Sequence, residues 1–144
     1  MPNDGPSLSS DAALVGWAVD GDPATAPISS LRGVLGQWAM IRASSGNRLE
    51  AAVDHLGGVP LYWSSHAGTV VISTNLPLLL SELGRPAEPH LPRVLEWLAW
   101  SFSDPQETLF AGVRIIPPGH GLVIDERGQR LERYWKLEAR LENG

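Results

Sequence analysis

Two strand–turn–strand segments follow one another in the middle of this sequence and constrain its fold more than any other feature. The first covers residues 37–54 around a turn at 44–47, and the second covers residues 61–73 around a turn at 65–68. The second is rich in β-branched and aromatic residues, which suit the pleated surface of a sheet. The pattern predicts two hairpins in succession, and with them four consecutive strands of an antiparallel sheet.

Helical spacing replaces the strand pattern after residue 74. Asn75 is a good N-cap, and leucines follow it at spacings of three, four and seven residues. After a breaker at 84–89, apolar residues recur at helical spacing from Leu91 to Phe102, and Ser103-Asp104-Pro105 ends the run. The spacing predicts a short helix followed by a longer one.

Further strand patterns flank this central region. Residues 12–19 are a short apolar run that ends in a turn at 20–23, and residues 113–116, 122–124 and 131–135 are three more candidates for strands. The order of strands, then helices, then strands predicts an α+β fold, in which helices pack on a mainly antiparallel sheet.

The length of 144 residues suits one domain with its own hydrophobic core. We assign residues 12–137 to that domain, residues 1–11 to a flexible N-terminus and residues 138–144 to a C-terminal tail. Since 43% of the residues are hydrophobic and only 19% are charged, the composition is that of a globular protein rather than a disordered one.

Charge and hydropathy argue against two classes of partner. The formal net charge is −5 and the 11 lysines and arginines are scattered, so no basic stripe is available for nucleic acid. No stretch approaches the roughly 20 apolar residues of a membrane span, and the first residues lack the pattern of a secretory signal. We expect a cytoplasmic protein that contacts no membrane.

The sequence contains no cysteine, which excludes disulfides, thiolate metal sites and a cysteine nucleophile on this chain. The histidines His55, His66, His90 and His120 stand in separate turns or loops, without the paired spacing of a metal site. We therefore expect surface histidines and no metal. Because the sequence also lacks a phosphate-binding glycine loop and a serine-nucleophile motif, we expect no catalytic residue and no cofactor on this chain.

Trp97 and Trp100 lie three residues apart on the longer predicted helix. Such a pair could offer a stacking platform or a contact for a partner. Burial in the core is the commoner role of aromatic side chains, and we predict it for both.

Five short motifs, taken in order, are more specific than any single residue. The longest, VDHLGGVPLY, covers residues 53–62, and VIST at 71–74 precedes the helix that starts at the asparagine. TLFAGV follows at 108–113, PPGH at 117–120 and YW at 134–135. Each motif alone is weak, but all of them in this order make a chance match improbable.

This ordered set resembles the amino-terminal glutaminase domain of asparagine synthetases. The corresponding family signatures are RD-x-x-G-x-x-PLYY, a strand leading into a helix start with small residues, TLF-x-G-[IV], PPGH and YW. The resemblance implies an Ntn-hydrolase-like fold, in which antiparallel sheets stack between helical layers. Complete enzymes of the family release ammonia from glutamine with an amino-terminal cysteine, and an ATP-pyrophosphatase domain then uses the ammonia after activating a carboxylate as its adenylate.

The sequence departs from this family at the glutamine site. Residue 2 is Pro2, cysteine is absent, and Val53 replaces the arginine that precedes the aspartate in the family. Nothing before Asp54 matches the family's glutamine-holding motifs, Arg-Leu-Ser-Ile and Asn-Gly-Glu-Ile-Tyr-Asn, so we expect N-terminal elements of the family domain to be missing. Only Asp54 carries over as a substrate-binding residue, because the family uses this carboxylate to hold the α-amino group of glutamine.

The resemblance gives the other motif residues a role in loops and interfaces. They are Gly57, Pro60, Tyr62, Pro117, Pro118, Gly119, His120, Tyr134 and Trp135. β-Lactam synthetases and lasso-peptide cyclases resemble asparagine synthetases whose amino-terminal domain has lost the cysteine. By this resemblance we predict a catalytically inactive domain that docks, through its PPGH and YW end, on an ATP-pyrophosphatase domain or subunit. ATP and Mg would enter only through that partner, which would form amide bonds in natural-product or peptide cyclisation.

Two other hypotheses stay open at this point. In the first, the chain is one subunit of a split asparagine-synthetase-like ligase, with the ATP-using half on another polypeptide. In the second, it is a truncated remnant or a small-molecule binding module. A homo-oligomer is also compatible with the sequence.

For the loop at 53–63 itself we weight a structural role above catalysis. We expect Asp54 to form an Asx-type turn, Gly57 and Gly58 to adopt positive φ, and Pro60 to start the next strand.

Overall fold

The computed structural model describes residues 12–44, 46–101 and 104–138. Its strands are β1 (Ala12–Ala18), β2 (Gly36–Ser44), β3 (Arg48–Val53), β4 (Tyr62–His66), β5 (Thr69–Ser73), β6 (Arg114–Ile115), β7 (His120–Asp125) and β8 (Gly128–Arg133). Its helices are a 3₁₀ helix (Ile28–Gly33), α1 (Leu76–Glu82) and α2 (Leu91–Trp100). Outside the described residues lie the predicted flexible terminus 1–11, all but residue 138 of the predicted tail, and Ser45, Phe102 and Ser103 of the predicted turn and helix end.

The strands form two antiparallel sheets. One has five strands in the order β1-β2-β3-β7-β8, and the other has three in the order β5-β4-β6. The pairs β2–β3 and β4–β5 are the two predicted hairpins. The prediction that their four strands share one sheet is wrong, because the chain crosses from one sheet to the other between β3 and β4. The second hairpin stacks on the first instead of lying beside it.

The central strands of the larger sheet are covered on both faces. Trp38 and Met40 of β2 point to one face, where they pack against Ile28 and Leu31 of the 3₁₀ helix. Alternate residues point to the other face, as the period of two in a strand requires. That second face packs against the smaller sheet through Ala39, Ala51, Val53, Leu122, Leu61, Trp63 and Ile116.

A buried carboxylate ties the sheet to the turn that precedes the 3₁₀ helix. Glu50 of β3 is 6% exposed and accepts hydrogen bonds from Arg42 and Arg48. Arg42 also donates to the carbonyls of Ala24 and Ala26 at 3.1 and 3.2 Å. Burial alone would raise the pKa of Glu50, but the hydrogen bonds from the two guanidinium groups outweigh it and hold that pKa below its ordinary value.

Helix α1 forms as its cap predicts. Asn75 Oδ1 accepts a hydrogen bond from the Leu78 N–H at 3.0 Å, and Leu79 is fully buried. The helix packs on β5 and so covers the outer side of the smaller sheet.

Helix α2 is positioned differently from the prediction. None of its side chains is buried, and Trp97 and Trp100 are 51% and 79% exposed. The prediction that both pack in the core is therefore wrong. Arg93 of this helix pairs with Glu107, and most of the apolar residues of the helix are exposed.

Among the described residues, no helix has the length and apolar character needed to cross a membrane.

Candidate functional site: the Asp54 corner

Asp54 follows directly after β3, at the point where the chain leaves the larger sheet. Its carboxylate accepts three backbone hydrogen bonds: Oδ1 from the Leu56 N–H at 2.8 Å, and Oδ2 from the N–H groups of Gly58 and Trp38 at 2.9 and 3.1 Å. The bond from Leu56 is the predicted Asx-type turn. Since Asp54 is only 1% exposed, the carboxylate closes the loop and binds it to β2.

The main chain of Asp54 joins a third segment to the loop. Its N–H donates to the Trp38 carbonyl at 2.9 Å, and its own carbonyl accepts from the N–H groups of Gly57 and Gly119 at 3.2 and 3.0 Å. Gly119 belongs to the PPGH motif, whose last residue, His120, begins β7. We use the name Asp54 corner for residues 53–58, 117–120 and 134–135.

The two glycines of the loop serve different purposes. Gly57 has the predicted positive φ of +66°, and a Cβ there would lie 3.0 Å from Pro118 Cγ. Gly58 does not adopt a positive φ, so that prediction is wrong. A Cβ at Gly58 would instead lie 2.5 Å from Gln37 Cγ, and the Gln37 amide donates to the Gly58 carbonyl at 3.0 Å. Gly58 therefore leaves room for the Gln37 side chain.

The YW motif covers the corner. The Tyr134 and Trp135 N–H groups both donate to the Gly119 carbonyl, at 3.0 and 3.1 Å, and the Tyr134 hydroxyl donates to the Val53 carbonyl. Burial, and to a lesser extent the nearby Asp54 carboxylate, raises the pKa of the Tyr134 phenol. Because these two residues turn inward, β8 ends at Arg133 and not at residue 135 as the sequence pattern predicts.

His55 is a buried member of the corner, at 8% exposed, so the expectation of a surface histidine is wrong for this residue. Its Nε2 lies 3.0 Å from the Arg32 carbonyl oxygen at the end of the 3₁₀ helix. Its ring meets those of Tyr134 and Trp135 edge-on, with centroids 5.8 and 5.0 Å away. His55 therefore links the loop, the YW motif and the 3₁₀ helix.

The sequence profile of a glutamine amidotransferase domain family matches residues 27–135, which is most of the chain. The chain belongs to the glutamine amidotransferase domain family. No curated protein sequence matches it.

Two solved structures share the fold of this amidotransferase domain. Glutamine phosphoribosylpyrophosphate amidotransferase from B. subtilis, complexed with ADP and GMP, superposes with a TM-score of 0.50 at 18% identity, over 75% of this chain and 18% of that one. A structure described as the allosteric regulatory enzyme of purine biosynthesis gives a TM-score of 0.50 at 18% identity, over 75% of this chain and 17% of that one. The predicted α+β, Ntn-hydrolase-like fold of class II amidotransferases is thereby confirmed. The chain spans less than a fifth of the length of either protein.

The structure brings most of the predicted site residues of the amidotransferase domain together. Those in the corner are Asp54, Gly57, Pro117, Pro118, Gly119, His120, Tyr134 and Trp135. Pro60 and Tyr62 lie outside it: Pro60 precedes β4, and Tyr62 opens that strand between Ser73 and Ile115 in the smaller sheet. The sequence reasoning did not identify Gln37 and Trp38. The pairing of β2 with β3 is the signal that could have placed Trp38 near the aspartate.

The Asp54 corner contains no serine, threonine, cysteine or lysine, and its titratable side chains are those of Asp54, His55, His120 and Tyr134. Among the described residues, no group of three or more histidine, aspartate or glutamate side chains could hold a metal ion. The outer side of the corner opens on a groove of about 240 Å³, lined by Tyr134, Trp135, Arg32, Arg133, Lys136 and Glu138.

Proposed function

We propose that this chain is a catalytically inactive, asparagine-synthetase-like glutaminase domain that supports an ATP-dependent amide ligase. The ligase would be an ATP-pyrophosphatase domain or subunit that acts in natural-product or peptide cyclisation and brings the ATP and Mg with it. The five ordered motifs favour the asparagine-synthetase type among glutamine amidotransferase domains, since PPGH, TLFAGV and YW match that family closely.

The hydrogen bonding of Asp54 is the observation that supports inactivity most strongly. In the asparagine-synthetase resemblance this carboxylate holds the α-amino group of glutamine. Here both of its oxygens accept backbone N–H groups, and the side chain is 1% exposed. Three of the roughly four acceptor sites of the carboxylate are therefore already used, and an ammonium group could reach the remaining one only if the loop that buries it moved, which is unfavourable. This chain also supplies no cysteine to act as the nucleophile.

The groove beside the YW motif supports a docking role for this end of the domain. Arg32, Arg133 and Lys136 are exposed around Tyr134 and Trp135, although the whole chain has a net charge of −5. Among the described residues, Arg32 and Arg133 make no ion pair. Aromatic and arginine side chains are also the residues most enriched at binding hot spots.

Association with the ligase subunit tests this proposal. The partner to use is the polypeptide encoded nearest to this chain that carries a Ser-Gly-Gly-x-Asp-Ser pyrophosphate loop. We expect the two to copurify, and ATP-dependent amide formation to require both. Trp135→Ala should weaken association roughly tenfold or more, because it removes an aromatic side chain from the docking groove. Calorimetric titration of the two purified proteins measures this change.

Trp17→Ala is the matched control, since Trp17 is 58% exposed on β1 and makes no part of the corner. It should leave the affinity unchanged. If the two proteins do not associate, or if the ligase forms its product equally well alone, the proposed support of a ligase is wrong. This result would contradict the supporting role even if the chain releases no ammonia from glutamine.

A further inference from the structure

A cleft lies between the edge strands of the two sheets, β6 of the smaller sheet and β8 of the larger one. Its lining consists of Trp63, Leu122, Leu131, Arg114, Arg130 and two glutamines. Its volume is about 240 Å³, which is the volume of about eight water molecules at roughly 30 Å³ each and suits a ligand of roughly ten non-hydrogen atoms. We call this space the edge cleft.

Trp63 brings an unpaired hydrogen-bond donor to the edge cleft. Its side chain is 3% exposed, and its Nε1–H has no acceptor within the described part of the chain. Trp38, the other buried tryptophan of the described residues, donates its Nε1–H to the Val34 carbonyl at 3.4 Å. An indole nitrogen can only donate, and a buried donor without an acceptor is unfavourable, so Trp63 favours a ligand that carries an acceptor oxygen.

Arg114 supplies a positive charge at the same place. It is the cross-strand neighbour of Trp63, and its guanidinium carbon lies 5.6 Å from the centroid of the indole ring. Among the described residues Arg114 makes no ion pair, whereas Arg130 is paired with Asp125 and Glu132. No carboxylate of the described residues lines the edge cleft. The charge of the cleft therefore favours an anion.

We propose that the edge cleft binds a small carboxylate that carries an apolar group. One carboxylate oxygen accepts the Trp63 Nε1–H, the other accepts from the Arg114 guanidinium, and the apolar group packs on Leu122 and Leu131. Arg114 is exposed and lies on a two-residue edge strand, so its side chain can leave the indole ring and admit the ligand without breaking an ion pair among the described residues. The cleft shares no residue with the Asp54 corner, and the proposal does not depend on a ligase partner.

Titration of the ¹⁵N-labelled full chain with phenylacetate, a carboxylate of suitable size, tests the site. We expect the indole N–H signal of Trp63 to shift saturably with a dissociation constant on the order of 1 mM, because this N–H gains an acceptor. Phenylacetamide, a neutral molecule of the same shape, should bind at least about tenfold more weakly. The indole signal of Trp38 should move in neither titration, since its N–H already has an acceptor. Trp63→Phe assigns the Trp63 signal by removing it.

Arg114→Gln tests the role of the charge. It should weaken phenylacetate binding about tenfold and leave phenylacetamide binding unchanged. Arg127→Gln is the matched control, since Arg127 is exposed in the turn between β7 and β8 and does not line the cleft, and it should bind phenylacetate like the original chain. The proposal is overturned by a Trp63 signal that does not move up to about 20 mM phenylacetate, by equal affinity for phenylacetamide, or by unchanged affinity in Arg114→Gln. The first two outcomes are measured on the unaltered chain.

Discussion

Replacing Asp54 by alanine lowers the free energy of unfolding by about 3 to 5 kcal/mol. The carboxylate accepts N–H groups from Trp38, Leu56 and Gly58, and it is 1% exposed, so the alanine variant loses three charge-assisted hydrogen bonds within the fold. Asp54→Asn keeps one acceptor oxygen but turns an N–H₂ group towards a backbone N–H. The asparagine variant should therefore lose less free energy of unfolding than the alanine variant, but the decrease should still be measurable. Urea unfolding, followed by tryptophan fluorescence, measures both values.

Asp22→Ala is the matched control for this experiment. Asp22 also accepts a backbone N–H, from Ala24 at 2.9 Å, but it does so in an exposed turn. Its replacement should lower the free energy of unfolding by less than about 1 kcal/mol. If the losses at Asp54 and Asp22 are equal, the Asp54 carboxylate is not needed by the fold, and its structural role in the corner is wrong.

Replacing Gly119 by alanine lowers the free energy of unfolding by about 2 to 4 kcal/mol. Gly119 has a φ of +68°, and a Cβ there would lie 2.7 Å from the Trp135 carbonyl oxygen. The variant must therefore move either the PPGH turn or the YW motif. Either movement disturbs the bonds from the Tyr134 and Trp135 N–H groups to the Gly119 carbonyl. Thermal or urea unfolding measures the loss.

Gly68→Ala is the matched control, because it measures the effect of a positive φ alone, without a close contact of the added Cβ. Gly68 also has a positive φ, of +79°, in the turn between β4 and β5, but no atom lies within 4 Å of an added Cβ. Its replacement should lower the free energy of unfolding by only about 1 kcal/mol, the strain of the backbone conformation alone. Equal losses at Gly119 and Gly68 would show that close packing between the PPGH and YW motifs contributes nothing to stability.

Local patterns were sufficient to predict both hairpins and α1, because each depends on neighbours in the sequence. The turns carry Gly46 and Gly68, and Asn75 caps the helix that follows it. The separation into two sheets could not be predicted in the same way. It depends on contacts between distant residues, such as those of Trp63 with the larger sheet, and the period of two in a strand does not show which sheet a strand joins.

The same distinction explains which parts of the corner were predicted. The Asx turn at Asp54 is local, and the sequence predicts it. The bond from Trp38 depends on the register of β2 with β3, and the burial of His55 depends on Arg32 and the YW motif, which lie far away in the sequence. For α2, helical spacing predicts an apolar face but not the direction in which that face points. That direction is seen only in contacts with distant residues, such as the pair of Arg93 with Glu107.

A glutamine titration of the ¹⁵N-labelled chain tests most directly whether Asp54 belongs to the fold or to a substrate site. The amide signals to follow are those of Trp38, Leu56 and Gly58, whose hydrogen atoms point at the carboxylate. We expect no shift of these signals up to about 10 mM glutamine, and no ammonia above a protein-free blank. A saturable shift of the three signals, together with release of ammonia, would show that the carboxylate still binds substrate and that the domain is an active glutaminase.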